Sequence, residues 1–329
     1  MMLAALALLA QLAVTTDTAG GTVRADTLWS QSLGTDKQYL VYLPPSYDSE
    51  PARHYPVAYY LHGMWGAETD WVKLGGIDGV MDSLIAAGGP ELILVMPDGD
   101  DGWYTTWNSL GNYAQCRREP PREEPPESYC VPWPHYDDYI ARDLVAHVDS
   151  NYRTLADSTH RGIAGLSMGG YGALTLALRY PDVFSAAASH SGAVSPLFAG
   201  PKPFEAPPRY LRSMDSIRVH NDRLWGVLRA AFGNDTLAWL SRDPVTMVKK
   251  RVHAELALPP IFLDVGVEDF FVDANRAFAY ELTMLGATFT YREWPGAHDW
   301  PYWRAHVSES LAWLGMHLTD SPPDDPAFR

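Results

Sequence analysis

The sequence predicts an α/β fold, because short apolar strand candidates alternate with amphipathic helix candidates along most of its 329 residues. The strand candidates are rich in β-branched, aromatic and small apolar residues and cover 39–43, 57–61, 92–96, 162–165, 186–190, 261–265 and 288–293. The helix candidates, each with one apolar face, cover 138–149, 168–179, 275–285 and 303–314. This alternation predicts a mostly parallel sheet with helices on both faces.

The composition is that of a folded protein with an acidic surface. Hydrophobic residues make up 47% and charged residues 20% of the chain, unlike a disordered sequence. Lys and Arg number 25 against 40 Asp and Glu, which gives a formal net charge of −15. Such a surface repels phosphate backbones and anionic lipids, so we expect no nucleic-acid partner and no electrostatic membrane docking. The sequence indicates no oligomeric state.

The two ends of the chain differ from the rest. Residues 2–14 form an apolar run, broken at Gln11, that is shorter than the ~20 residues of a transmembrane helix and resembles a secretory h-region. We expect residues 1–20 to be a signal peptide, although no Lys or Arg precedes the run. An apolar extension or a translation start placed too early are the alternatives. No transmembrane helix is expected elsewhere. The last residues are rich in Pro and Asp, so we expect residues 319–329 to be a disordered tail. Residues 21–318 then form one domain.

Cys116 and Cys130 are the only cysteines, and they enclose a charged, Pro-rich segment with little to bury. A disulfide between them would remove roughly 3 kcal/mol of unfolded-chain entropy in the loop-closure model. Disulfides persist in oxidising compartments, so the pairing and the predicted leader support each other. We expect the disulfide, in a secreted or periplasmic protein; two free thiols in a cytosolic protein are the alternative.

The sharpest signal for chemistry is the segment GLSMG at 165–169, a G-x-S-x-G pattern between a strand candidate and a helix candidate. In this setting the pattern forms a nucleophile elbow, a sharp turn that requires small residues on both sides of the serine. The amides at the start of the following helix then point toward an oxyanion. Ser167 is therefore the candidate nucleophile. A Gly-rich turn with an incidental serine is the alternative.

A serine nucleophile needs a base that takes its proton and an acid that orients the base. His298 is the candidate base, because it lies in a Gly- and Pro-bearing loop between the last strand and helix candidates. Asp269, in the loop after 261–265, is the candidate acid. Glu268 and Asp264 remain alternatives for that role.

The second oxyanion donor should follow an early strand, and the segment HGM follows residues 57–61. We expect the backbone N–H groups of Met64 and Met168 to be the two donors, each worth ~3 kcal/mol of transition-state stabilisation. His62 fits a loop-anchoring role better than that of a base. His190 fits a packed position in a strand.

Aromatic residues cluster in the segments predicted to surround the site: Trp65, Trp103, Tyr104, Trp107, Trp294, Trp300 and Trp303. Trp65, Trp103 and Trp300 are the candidate substrate-binding residues, since such rings can stack on phenolic groups or sugars. Loop packing under a helical cap formed by 196–258 is the alternative. The segment PDGDDG at 97–102 lacks the spacing and the final Glu of an EF-hand, and we expect no metal and no cofactor.

The order of the segments YPVAYYLHGMWG, LILVMPDGDDGWY, GLSMGGYGAL and PGAHDWPYW resembles the putative esterase family of α/β-hydrolases, over residues 29–318. That family includes feruloyl and acetyl-xylan esterases, S-formylglutathione hydrolases, enterochelin esterases and mycolyltransferases. The resemblance implies an α/β-hydrolase fold and a triad that carries onto Ser167, Asp269 and His298. It also implies oxyanion donors at Met64 and Met168.

Two features depart from the family pattern. The thioesterase branch usually shows SGLTC where this chain has HGMWG, which disfavours that branch. The segment between the two cysteines is not part of the general pattern, so substrate identity does not carry over.

The resemblance implies a secreted serine carboxylic-ester hydrolase that acts through an acyl-enzyme on small-molecule or carbohydrate-linked esters, such as aryl or sugar esters. Two other functions stay open. An acyltransferase of the mycolyltransferase type would use the same triad with an alcohol in place of water. A non-catalytic carbohydrate-binding relative would be expected to have lost a triad residue.

Overall fold

The computed structural model describes residues 20–106, 113–118, 126 and 130–319. In this part of the chain eight strands form one sheet: Thr22–Ser30 (β1), Thr35–Leu43 (β2), Val57–Leu61 (β3), Ile93–Pro97 (β4), Arg161–Leu166 (β5), Ala186–His190 (β6), Ile261–Gly266 (β7) and Phe289–Trp294 (β8). Their order across the sheet is β1-β2-β4-β3-β5-β6-β7-β8. β1 and β2 pair antiparallel, β2 meets β4 antiparallel, and β3 to β8 run parallel. The predicted fold class is confirmed.

Helices connect the parallel strands. Their bounds are Asp70–Lys73 (α1), Ile77–Ala86 (α2), Tyr113–Arg118 (α3), Tyr136–Asp138 continued by a π-helical stretch Tyr139–Leu144 and by Val145–Asn151 (together α4), Met168–Arg179 (α5), Met214–His220 (α6), Trp225–Phe232 (α7), Thr236–Arg242 (α8), Pro244–His253 (α9), Val272–Met284 (α10) and Trp300–Leu318 (α11). Helices α6 to α9 lie within the irregular segment 196–258. No helix of the described ranges is both long and apolar enough to cross a membrane.

Alternate residues of the central strands face two separate cores. On β3, Val57, Tyr59 and Leu61 belong to the core that includes residues of α4 and α5. Ala58 and Tyr60 face the opposite core, to which α2 and α11 contribute. All five are fully buried, as expected of a parallel strand covered on both faces. The two layers of helices therefore leave the carboxyl edge of the parallel strands as the place where loops converge.

Several element bounds differ from the predicted ones. The sequence pattern does not identify β1, because this edge strand is largely exposed and carries polar residues on both sides. The prediction of one regular helix over 138–149 is wrong in detail, since that segment contains a π-helical stretch. The last helix begins at Trp300 instead of residue 303, because Asp299 caps it by accepting the Tyr302 N–H at 3.1 Å. Pro301 is tolerated in that first turn.

Cys116 of α3 and Cys130 form the predicted disulfide, with their Cα atoms 5.7 Å apart. The bond ties α3 to the segment that leads into α4. The predicted leader lies outside the described residues except for Gly20. The predicted tail does so except for Thr319, and Trp107 also lies outside them.

Candidate active site

Ser167 lies between β5 and α5 on a sharply turned backbone. Its φ of +54° and ψ of −115° fall in a region that residues with a side chain rarely adopt. The turn presses the flanking residues together, because a Cβ at Gly165 would lie 2.5 Å from the carbonyl carbon of Gly169. A Cβ at Gly169 would lie 2.4 Å from the Leu61 carbonyl oxygen. The G-x-S-x-G segment therefore forms the tight strand–turn–helix of a nucleophile elbow.

Ser167, His298 and Asp269 form a continuous row of hydrogen-bonding atoms. His298 Nε2 lies 2.9 Å from Ser167 Oγ, and His298 Nδ1 lies 2.8 Å from Asp269 Oδ2. Asp269 is buried, and its other oxygen accepts the Phe271 N–H at 2.7 Å, which fixes the carboxylate toward the imidazole. In this geometry an imidazole can take the proton of a serine hydroxyl while a carboxylate orients it.

Aromatic rings enclose the imidazole of His298. The ring centroid of Phe270 lies 4.3 Å away, that of Trp303 5.0 Å and that of Phe271 5.3 Å. These contacts restrict the orientations of the imidazole and reduce its access to water.

Met64 and Met168, the two candidate oxyanion donors, lie beside the candidate nucleophile. Met168 is the first residue of α5, so its N–H has no acceptor within the helix. Met64 lies in the loop after β3, and both residues line the same cavity as Ser167. Neither N–H donates to another backbone carbonyl of the described chain. Two such donors are what an oxyanion hole requires.

His62 holds the loop after β3 from inside the protein. Its Nδ1 lies 2.7 Å from the Gly63 carbonyl oxygen, and its Nε2 accepts the Gly99 N–H at 2.9 Å. His62 is buried and has no hydrogen bond to Ser167. Trp65, with a φ of +65°, is held by an N–H bond to Asp101 Oδ1 at 2.7 Å. The segment 97–102 thus fixes the loop that carries Met64.

A buried ion pair supports the segment 97–102. Lys37 Nζ of β2 lies 2.6 Å from Asp98 Oδ2 and 2.9 Å from Asp100 Oδ2. Burial and the neighbouring Asp98 raise the pKa of Asp100 to about 6. Burial also opposes ionisation of Asp98, but the charge of Lys37 and its hydrogen bond to the carboxylate outweigh this effect and lower the pKa of Asp98. The carboxylates of the PDGDDG segment therefore serve the loop scaffold.

The alternatives to Asp269 face elsewhere. Asp264, at the end of β7, is fully buried; its Oδ2 lies 2.5 Å from His190 Nδ1, and its Oδ1 accepts the Tyr302 hydroxyl at 2.9 Å. His190 is a buried residue of β6, in the position expected for it. Glu268 accepts the N–H of Gly296 at 2.5 Å. Neither alternative carboxylate contacts His298.

A cavity of about 520 Å³ opens beside Ser167. Its walls include the three candidate substrate-binding residues Trp65, Trp103 and Trp300. Tyr104 and Trp294 do not line it, because Tyr104 donates its hydroxyl to the His62 carbonyl and Trp294 stacks on His306. Its other lining residues are Gly63, Met64, Gly66, Asp70, Leu74, Leu166, Met168, Leu224, Phe270, Phe271, His298 and Trp303.

Several of these lining residues are not among the candidates that the sequence indicates. Phe270 and Phe271 directly follow the candidate acid, so this aromatic pair could have indicated two further residues of the cavity. Leu224 comes from the segment between α6 and α7, and no local pattern indicates its contact with the cavity. Asp70 is the first residue of the short helix α1 and Leu74 directly follows this helix, which the sequence pattern did not predict.

The fold and the elbow define the class of protein, an α/β-hydrolase with a serine at the end of β5. The chain belongs to the family described as "Putative esterase", whose model matches residues 30–314. It is 28% identical over 235 residues to an endo-1,4-beta-xylanase/feruloyl esterase of Xylanibacter ruminicola, covering 67% of this chain and 30% of that protein. An acetyl esterase of Caldicellulosiruptor saccharolyticus is 25% identical, with coverage of 78% and 82%.

Solved structures agree with this assignment. A ferulic acid esterase is similar with a TM-score of 0.68 and 26% identity, covering 91% of this chain and 99% of that one. The chain spans only 30% or 31% of the length of three of the curated relatives that it matches.

Proposed function

We propose that the chain is a serine carboxylic-ester hydrolase that acts through an acyl-enzyme. The row of Ser167, His298 and Asp269 beside an aromatic cavity is the observation that carries this proposal. Membership of an esterase family supports it. Ser167 Oγ attacks the ester carbonyl while its proton passes to His298 Nε2, and Asp269 stabilises the imidazolium that forms.

The carbonyl oxygen then bears the developing negative charge, and the N–H groups of Met64 and Met168 bind it. The intermediate collapses as the bond from the carbonyl carbon to the alcohol oxygen breaks. His298 gives its proton to that oxygen, and the alcohol leaves. Water then attacks the acyl-serine with His298 as base, which releases the acid and restores Ser167.

We propose aryl or sugar esters as the substrates. Trp65 and Trp300 line the cavity and can stack on such groups, whereas Trp103 lines it but is buried against Tyr171 and Phe232. None of the described lining residues is Lys or Arg. The name of one relative, a feruloyl esterase, supports an aryl group. The apolar run at residues 2–14 and the disulfide support a secreted or periplasmic location.

An acyltransferase with the same triad is the second candidate, favoured by the rings that shield His298 from water. One experiment separates the two functions: hydrolysis of p-nitrophenyl butyrate with and without 1 M methanol as acceptor, with both acid and methyl ester quantified. We expect butyrate as the main product without acceptor, at a steady rate. A folded protein that releases nitrophenol only when an acceptor is present would contradict the hydrolase proposal.

Glu268 links the loop of the acid to the loop of the base. Its N–H donates to the Gly296 carbonyl at 3.0 Å, while its side chain accepts the Gly296 N–H. Gly296 has a φ of +139° and lies two residues before His298. We expect Glu268→Ala to lower kcat by roughly 10- to 100-fold with a smaller change in KM, because loosening the loop misplaces the imidazole.

Glu268→Gln keeps a carbonyl oxygen that can accept the same N–H, so it should retain most of the activity. Glu309→Ala, at an exposed position of α11, is the matched control. Initial rates on p-nitrophenyl butyrate measure all three variants. Equal losses in the Ala and Gln variants, or a change confined to KM, would show that Glu268 does not position the base.

A further inference from the structure

We propose that the cavity beside Ser167 prefers esters whose alcohol half carries a bulky organic cation such as a quaternary ammonium. This inference rests on the ester hydrolysis proposed above and names a substrate class for the same site. Three features carry it: the aromatic wall next to His298, a carboxylate in that wall, and the lack of a cationic side chain among the described lining residues.

The alcohol half of a bound ester lies on the side of His298, because the leaving oxygen must take its proton from Nε2. On that side the ring of Trp303 lies 5.0 Å from the imidazole, and Trp300 lies 5.3 Å from Trp303. Trp300 in turn packs edge-on against Trp71 of α1, with the centroids 5.5 Å apart. The aromatic wall therefore runs from the base to α1.

Asp70 is the first residue of α1 and lines the cavity together with Leu74. Its Oδ2 accepts the Ala67 N–H at 3.2 Å, and no cationic side chain in the described ranges forms an ion pair with it. A Cβ at residue 66 would lie 2.5 Å from this oxygen, so Gly66 leaves room for the carboxylate at the cavity wall. Asp70 thus lines the same cavity as Trp303 and Trp300.

Aromatic faces attract cations, and Trp does so best, which makes rings plus a carboxylate a suitable environment for a quaternary ammonium. The net charge of −15 raises the local concentration of cations around the protein. A polyhydroxy alcohol would need several hydrogen-bond partners here. Among the described lining side chains, Asp70 is the one carboxylate, amide or hydroxyl group besides Ser167. On the alcohol side this wall therefore suits a cation better than a sugar, so that the aryl group of the aryl esters proposed above would belong to the acyl half.

Two exposed aromatic residues of the cavity support the proposed preference for a cation. Trp65 is 72% exposed and Phe270 is 59% exposed, and both line the cavity. An entering cationic group therefore passes over ring faces that can hold it without removing all of its water.

The test compares two isosteric esters, butyrylcholine and 3,3-dimethylbutyl butyrate, in which a carbon replaces the charged nitrogen. We expect the purified full chain to hydrolyse the choline ester with a kcat/KM about tenfold higher, within the range of cation–π contacts. In Asp70→Asn the ratio of the two kcat/KM values should fall to about two or less. Asp182→Asn, which removes an exposed carboxylate elsewhere, should keep the ratio of the unmodified chain.

A second measurement does not depend on turnover of either ester. Choline and 3,3-dimethylbutan-1-ol are compared as inhibitors of p-nitrophenyl acetate hydrolysis, and choline should inhibit at about a tenfold lower concentration. Equal kcat/KM values for the two esters and equal inhibition by the two alcohols, with p-nitrophenyl acetate still hydrolysed, would overturn the cation preference. The hydrolase proposal would then still stand. A folded chain that hydrolyses no ester would overturn both proposals.

Discussion

Replacing Ser167 by alanine should lower kcat/KM for p-nitrophenyl butyrate by at least about 10⁴-fold, while the protein stays folded. The loss is this large because the triad acts as a unit, so that without the hydroxyl neither His298 nor Asp269 contributes to covalent catalysis. The side chain is a short one at a helix start, and its removal leaves no large cavity in the core.

The matched control is Ser49→Ala, at an exposed position, which should keep the full rate. Thermal unfolding of both variants should agree with that of the unmodified chain within a few degrees. A Ser167→Ala protein that retains a tenth or more of the activity would place the nucleophile elsewhere.

Replacing Lys37 by methionine should destabilise the protein by about 3–5 kcal/mol at pH 7.5, because Asp98 and Asp100 would remain buried without their cation. The side chain of Lys37 is fully buried against these two carboxylates. Urea unfolding of the variant and of Lys250→Met measures the effect. Lys250 is exposed, and its replacement should change the free energy of unfolding by less than about 0.5 kcal/mol.

The penalty in Lys37→Met should be smaller at pH 5 than at pH 7.5. The pKa of Asp100 is already raised from 3.8 to about 6 in the folded chain. A raised carboxyl pKa means that the folded state binds a proton more tightly than the unfolded state, so stability rises as the pH falls from about 6 toward 4. Removing Lys37 strengthens this effect, because protonation of Asp100 then removes a buried charge that has lost the Lys37 cation. A penalty that is equal at both pH values would contradict this account of the ion pair.

The three candidate triad residues can be predicted from the sequence to different degrees. A local pattern predicts Ser167, because the sharp turn demands small residues at fixed spacing. Its place between the last strand and the last helix predicts His298. Asp269 could not be separated from Glu268 and Asp264 by sequence, since all three lie within six residues and only their side-chain directions differ.

The residues that hold the loops of the site in place could not be predicted from the sequence, because their contacts join segments that are distant in the chain. Lys37 lies 61 residues before Asp98 in the sequence, and nothing near either residue indicates the ion pair. Leu224 reaches the cavity from the connection between α6 and α7. The strand β1 lies at the edge of the sheet and is largely exposed. It therefore carries too few apolar residues for a recognisable strand pattern.

Covalent labelling by a fluorophosphonate, followed by peptide mapping by mass spectrometry, tests the central claim most directly. The reagent phosphonylates a serine that a neighbouring base has activated, with fluoride as the leaving group. We expect one adduct per chain, on the peptide that contains Ser167, and strongly slowed labelling in His298→Ala. Labelling at a different serine, or an equal labelling rate in His298→Ala, would contradict this claim.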